Sequence, residues 1–330
     1  MDYRFLGDTG VKVSELAFGT MSFGGDADEA TSEQMFRRCR EAGINFFDCA
    51  NVYADGHSEE ILGTLIADDR ENILISSKVY FPTGDDVNAR GASRRHIMQS
   101  VEQSLRRLGT DYIDLYFIHR FDDFTALEET LRALDDLVRQ GKILYPAASN
   151  FAAWQVEKAL GVSARDDLAR FAAIQPMYNL VKRQAEVEIL PMAEAENLAV
   201  FPYSPLGGGL LTGKYATDTK PETGRLVENK MYEVRYQQPW VYETAEKYSS
   251  LAEEYGFDPA ALAVKWVASH PAVTAPLIGA RNPEQLEGSL QAADIEMTPE
   301  LRSALSELSP TPPPATDRNE ENTAFNYGTR

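Results

Sequence analysis

The chain has 330 residues, 43% of them hydrophobic, and a formal net charge of −19. That length holds one large domain or two medium ones with a real core. The negative charge argues against nucleic acid and anionic membrane as partners, and no apolar run approaches the roughly 18–20 residues of a spanning helix.

The first ten residues, MDYRFLGDTG, carry no basic segment followed by an apolar one, so a signal peptide is not expected. Cys39 and Cys49 fall in a helix-like and a strand-like run, which points to a reducing cytoplasm and not to a disulfide scaffold. Ten lysines stand against twenty-two arginines. An acidic, lysine-poor surface fits solubility at high ionic strength, and it equally fits an ordinary acidic bacterial protein.

In chain order, residues 1–15 read as a β-hairpin turning at Asp8-Thr9-Gly10. Eight apolar runs follow, at 16–19, 45–50, 73–78, 112–119, 143–149, 171–175, 199–204 and 275–279. Most are apolar throughout, as expected of parallel strands covered on both faces. Helical stripes lie between them. Met35, Cys39 and Ala42 form one; Ile97, Val101, Leu105 and Leu108 another, behind an N-cap at Ser93; Leu127, Leu131, Leu134 and Val138 a third, closed by Gly141.

This alternation predicts an α/β chain folded as a (β/α)8 TIM barrel, residues 1–330 as a single domain, with the hairpin against the barrel's bottom. A doubly wound sheet is the alternative, but no G-x-G-x-x-G follows the first strand. A long Gly-, Thr- and Lys-rich loop at 207–235 separates strands seven and eight. Residues 310–330 read as an irregular Pro-rich tail.

Four polar residues cluster at successive strand ends: Asp48, Tyr53 just after it, Lys78 and His119. In a barrel, those ends share the active face. A buried ammonium at Lys78 needs a counter-charge, which Asp48 can supply. The Lys78–Asp48 pair is expected to draw the Tyr53 pKa down toward working pH, making Tyr53 a general acid for a carbonyl oxygen. His119 can hydrogen-bond the same oxygen. Alternatively, Lys78 could form a Schiff base. SPLGGGLLTGK (204–214) offers backbone N–H groups and Lys214 to phosphates. Gly279-Ala280-Arg281 leads into a helix start, where the forked guanidinium of Arg281 suits a phosphate. Gln285 and Ser289 lie on one face of that helix. No metal site is expected.

Taken together, these residues resemble the aldo-keto reductases over nearly the whole chain, and above all the bacterial reductases related to potassium-channel β subunits. The resemblance is carried by Phe46-Phe47-Asp48, Tyr53, Gly56-x-Ser58-Glu59, Lys78, Asp111 through His119, Ser149-Asn150-Phe151 and Gln175-x-x-Tyr178-Asn179. Tyr203-Ser204-Pro205-Leu206 and Gly279-Ala280-Arg281 extend it. It implies NADPH-dependent reduction of an aldehyde or ketone, with Asp48, Tyr53, Lys78 and His119 as the catalytic tetrad and Tyr53 as the proton donor. Ser149, Asn150 and Gln175 would hold the nicotinamide, Tyr203 would stack on it, and Thr20 and Met21 would line the site. Ser204, Pro205, Leu206, Gly208, Lys214, Gly279, Arg281, Gln285 and Ser289 complete the implied cofactor contacts.

Gly288-Ser289 stands where the family has Glu-Asn, which leaves NADH possible. Pro146 in strand five removes a ladder donor and predicts altered pairing there. Phe23, Tyr80, Phe81, Phe121, Trp154, Tyr232 and Tyr236 are candidate pocket walls. The alternative function is an NADPH-binding regulatory subunit resembling the channel β subunits. Oligomeric state is left open.

Overall fold

A computed structural model describes residues 1–219 and 221–325; Lys220 in the long insert and 326–330 at the end of the tail lie outside the described residues. Strands β1 (Tyr3–Phe5) and β2 (Lys12–Ser14) pair antiparallel, with Arg4 opposite Val13. Gly10, at φ 76°, supplies the left-handed turn residue between them.

Eight parallel strands follow: β3 (Ala17–Gly19), β4 (Phe46–Asp48), β5 (Leu74–Val79), β6 (Ile113–Ile118), β7 (Ile143–Ser149), β8 (Ala173–Gln175), β9 (Ala199–Val200) and β10 (Leu277–Ile278). Their order is β10-β3-β4-β5-β6-β7-β8-β9. The ends meet where the Leu277 N–H donates to Pro202 O (2.8 Å) and the Ala275 N–H to Val200 O (3.2 Å). The expected (β/α)8 barrel is therefore the observed one.

Helices α1 (Glu29–Glu41), α2 (His57–Ile66), α3 (Arg94–Leu108), α4 (Leu127–Arg139), α5 (Ala153–Asp166) and α6 (Ile189–Ala195) alternate with the strands through β9. Ser93 caps α3 by accepting from the His96 N–H, and Gly109 ends it in a left-handed conformation. Beyond β9 come α7 (Arg225–Glu228), α8 (Lys230–Arg235), α9 (Pro239–Glu254), α10 (Pro259–Ala268), α11 (Pro283–Leu290) and α12 (Pro299–Ser306). Residues 310–318 are irregular, followed by one short turn at Asn319–Asn322.

Side-chain alternation divides the strands between two cores. Phe46, Leu115, Phe117 and Phe201 fill the barrel interior, with Leu6 and Val13 of the hairpin packed against them as a floor. Phe47, Ile75, Tyr116 and Ile118 face the helices. Arg4 fastens the floor by donating to Ala268 O (3.0 Å) and Val273 O (2.6 Å).

Two local expectations are corrected. Pro146 sits inside an unbroken β7, paired with Tyr116, because only its N–H is missing and its carbonyl still accepts from the Ala172 N–H at 2.9 Å. The segment at 207–235 is not wholly loop, since it contains α7 and α8. Leu226, Tyr232 and Tyr236 give it an apolar cluster with Leu210, Tyr215 and Val241, a pattern diluted in the sequence by the surrounding Gly, Thr and Lys.

Candidate active site

Parallel register sets the strand ends side by side: Gly19 lies opposite Asp48, Asp48 opposite Ser76, and Lys78 opposite Phe117. On β5, the period of two sends Ser76 and Lys78 inward and Ser77 outward. The fully buried Lys78 Nζ donates to Asp48 Oδ2 (2.6 Å) and Cys49 O (2.7 Å), and lies 3.4 Å from Tyr53 Oη. Asp48 Oδ1 accepts from Ser76 Oγ (2.7 Å) and from Gln175 Nε2 (2.9 Å). Three side chains from two strands thus converge on one carboxylate.

Tyr53 opens a tight turn, Tyr53–Gly56, that leads directly into α2. Ala54, Asp55 and Gly56 take φ of 46°, 55° and 98°, and this left-handed run swings the phenol back over Lys78. His119 is fixed by its N–H donating to Val79 O (2.9 Å). Its ring meets Phe81 edge-on at 4.8 Å and Tyr53 at 6.1 Å. The buried His119 Nδ1 has no hydrogen-bond partner among the described residues. The four candidate catalytic side chains therefore form one cluster.

The expected direction for Tyr53 is overturned. Burial raises its pKa well above the ordinary phenol value, and the Asp48 charge adds to the rise. Burial of the phenol is the dominant cause; Lys78 sits closer to Asp48, at 2.6 Å, than to Tyr53, at 3.4 Å. Tyr53 is a protonated phenol, which suits an acid. Burial, and then the charge of Lys78, push His119 well below the ordinary histidine value, so its imidazole is neutral at neutral pH. A Schiff base at Lys78 fits poorly, because its nitrogen is fully buried and spent on Asp48 and Cys49.

Around this centre, Thr20 is buried and donates to Asp48 O (3.1 Å), while Met21 is 40% exposed. Ser149 Oγ donates to Gln175 O (2.9 Å), and Asn150 Nδ2 donates to His119 O (2.8 Å). Tyr203 Oη donates to Asn150 Oδ1 (2.7 Å). These residues, expected at the nicotinamide, adjoin the tetrad. Phe81 lies against His119, while Phe121 packs on Phe151, with Trp154 6.0 Å away. Phe23 and Tyr236 are fully buried in packing, which removes them from the wall, whereas Tyr232 lies near enough to Tyr53 and Tyr203 to act on both electrostatically and so stays beside the site.

The segment Ser204-Pro205-Leu206 leads into Gly207, Gly208 and Gly209, all left-handed at φ 60°, 70° and 99°. A Cβ on Gly208 would lie 2.8 Å from Tyr232 and 2.9 Å from Leu226, so only glycine fits. A Cβ on Gly209 would lie 3.6 Å from Lys214 Nζ, placing the ammonium directly over this backbone cradle. Burial and the nearby Arg281 charge lower the Lys214 pKa. Lys214 over a glycine cradle, with Arg281 nearby, forms a donor set that fits a pyrophosphate.

Arg281 pairs with Asp26 (3.1 Å) and Glu228 (3.4 Å). Its N–H donates to Gln285 Oε1 (3.1 Å). Gly279 is exposed beside it, and Ser289 is buried with no partner for its Oγ among the described residues. Sequence reasoning missed Ser76, Asp26 and Glu228. Ser76 was within reach of the period of two from Lys78; the other two come from loops whose approach no local pattern announces.

The chain matches the Aldo/keto reductase family model over residues 15–309. It is 37% identical to a Bacillus subtilis (strain 168) protein named "Uncharacterized oxidoreductase YrpG", over 94% of this chain and 97% of that one. It is 36% identical to a protein of Oryza sativa subsp. japonica named "Probable voltage-gated potassium channel subunit beta", over 96% and 99%. It is 30% identical to versiconal hemiacetal acetate reductase of Aspergillus parasiticus, over 93% and 96%. With the barrel, the clustered strand-end side chains and these matches together, the chain belongs to the aldo/keto reductase family of oxidoreductases.

Proposed function

We propose that this chain is a single-domain cytoplasmic enzyme that reduces an aldehyde or ketone to an alcohol with NADPH, NADH being the possible substitute. The observation that carries the reading is the buried Lys78–Asp48 pair at 2.6 Å with the protonated Tyr53 hydroxyl 3.4 Å from the ammonium. When bound, the reduced nicotinamide supplies a hydride to the carbonyl carbon. Tyr53 gives its proton to the carbonyl oxygen, and the Lys78 ammonium faces the phenolate left behind. The neutral His119 ring orients the same oxygen. Asp48 holds Lys78 in place, and is itself fixed by Ser76 and Gln175.

Ser149, Asn150, Gln175 and Tyr203 hold the nicotinamide end, with Thr20 and Met21 beside it. Ser204, Pro205, Leu206, Gly208 and Lys214 cradle the pyrophosphate. Gly279, Arg281, Gln285 and Ser289 take the adenosine end, and the guanidinium of Arg281 favours a 2′-phosphate.

The test is turnover of an aldehyde, ketone and sugar panel with each cofactor, in the wild type and in Tyr53→Phe. The variant is expected to lose about 10²–10⁴-fold in kcat while keeping its cofactor affinity. Unchanged turnover removes Tyr53 from the role. The relative named as a channel β subunit keeps a second reading alive, a nicotinamide-binding regulatory subunit. Tight NADPH binding with no turnover on any carbonyl of the panel would favour it.

A further inference from the structure

The turn that carries Tyr53 is strained. Two non-glycine residues in succession, Ala54 and Asp55, hold φ of 46° and 55°, a conformation that persists only where the surroundings over-determine it. What does so lies behind the site, between the barrel wall and the helices. Glu59, in the first turn of α2, is fully buried. Its Oε2 accepts from Arg107 Nε (2.7 Å) and pairs with Arg107 NH2 (2.6 Å), a two-pronged contact from the last turn of α3. Its Oε1 accepts from Ser77 Oγ at 2.5 Å.

Both ends of this arrangement reach the reacting groups through the backbone. Ser77 lies between Ser76 and Lys78, two of the side chains that grip Asp48. Arg107 lies against Gly56, the last residue of the Tyr53 turn; a Cβ there would come within 2.9 Å of Arg107 Cδ and Nε. One buried carboxylate thus ties the outer face of β5 to α3, and α3 backs the turn. Packing alone does not call for a charge here, since apolar side chains of similar volume commonly replace a buried ion pair without loss of stability. What the forked pair adds is fixed direction.

We propose that Glu59 is a positioning residue for Tyr53 and Lys78, acting through Arg107 and Ser77. The inference rests on the reading of Tyr53 as proton donor. If the phenol is held at Lys78 by this clamp, loosening the clamp misplaces the proton donor while leaving the cofactor cradle, built on other loops, intact.

The experiment is steady-state kinetics with NADPH and the best carbonyl of the panel, together with NADPH binding by fluorescence, on Glu59→Gln, Ser77→Ala, Arg107→Lys and Glu59→Gln/Arg107→Lys. Glu59→Gln is expected to lower kcat by about 10–100-fold, the scale of a misplacement near 1 Å, with KM and the NADPH Kd within about threefold of wild type. The double variant is expected to be no slower than Glu59→Gln alone, because the two residues act as a unit. A kcat for Glu59→Gln within twofold of wild type overturns the proposal. So does a loss shared equally between kcat and cofactor affinity, or a double variant whose loss is the product of the two single losses. Should Glu59→Gln fail to fold, Ser77→Ala decides: a drop of at least threefold in kcat at constant KM supports the clamp, and wild-type kcat refutes it. Tyr53→Phe run alongside separates the two levels. Retained turnover there sinks the proton-donor reading, whereas a dead Tyr53→Phe with a fully active Glu59→Gln sinks only the clamp.

Discussion

Replacing Asp48 by Asn isolates what the buried pair contributes. Lys78 is fully buried and its Nζ faces Asp48 Oδ2 at 2.6 Å, while Oδ1 faces the donors of Ser76 and Gln175. An Asn amide has one acceptor oxygen and one donor nitrogen. In either orientation, the new NH2 points at a donor: at the ammonium, or at the Ser76 hydroxyl and the Gln175 amide. Breaking a buried pair by removing one partner costs about 3–5 kcal/mol. For 330 residues, an unfolding entropy of about 2.1 cal/mol/K per residue sums to about 0.7 kcal/mol/K, so the melting midpoint should fall by about 4–7 °C. Differential scanning calorimetry measures it. The double variant Asp48→Asn/Lys78→Met removes the stranded charge and should recover at least half of the loss. A single variant within 1 °C of wild type, or a double variant less stable than the single, refutes the reasoning.

Three further outcomes follow from the same geometry. Burial holds His96, His119 and His270 below the ordinary histidine value. The unfolded chain therefore binds more protons below about pH 6.5, so stability should fall from pH 6.5 downward and be flat from pH 7 to 9; urea midpoints across pH 5–9 check the sign. Gly63→Ala should cost about 1–3 kcal/mol by chemical denaturation, because its Cβ would lie 2.6–2.7 Å from the backbone oxygens of Leu108 and Arg107, which cannot retreat as a side chain would. At a net charge of −19, activity should hold or rise in KCl up to about 1 M if the surface is built for high salt; collapse by about 0.5 M assigns the charge to an ordinary acidic surface.

The barrel was legible in the sequence, and so was the meeting of four polar side chains at its strand ends, because the strands that place them are local signals. Each strand announces itself by an unbroken apolar run, and Asp48, Lys78 and His119 close those runs one after another. Tyr53 was legible as a residue but not in its pKa, since burial dominates that and burial is a property of the assembled wall. Glu59 was visible only as part of a motif. Its partner Arg107 is 48 positions away, on a helix whose own pattern advertises an apolar stripe and says nothing of a buried charge. The insert misled for a different reason: α7 and α8 are each less than two turns long, too short to show a period, and are held by Leu226 and Tyr232 in a cluster that draws in Val181, Tyr236, Val241 and Ala245 from outside the segment.

The floor of the barrel also sets a schedule for synthesis. Arg4 is bonded to carbonyls 264 and 269 residues further on, and β3 waits for β10 to cover its edge. At about 5–20 residues per second, the interval between making the two ends is roughly 13–54 s. Through that interval the first parallel strand presents an open edge, and Leu6 and Val13 have no completed interior to enter. The nascent chain is thus most vulnerable to wrong pairing at its oldest segment, and any interruption of synthesis before Leu277 leaves the ring without its final stave.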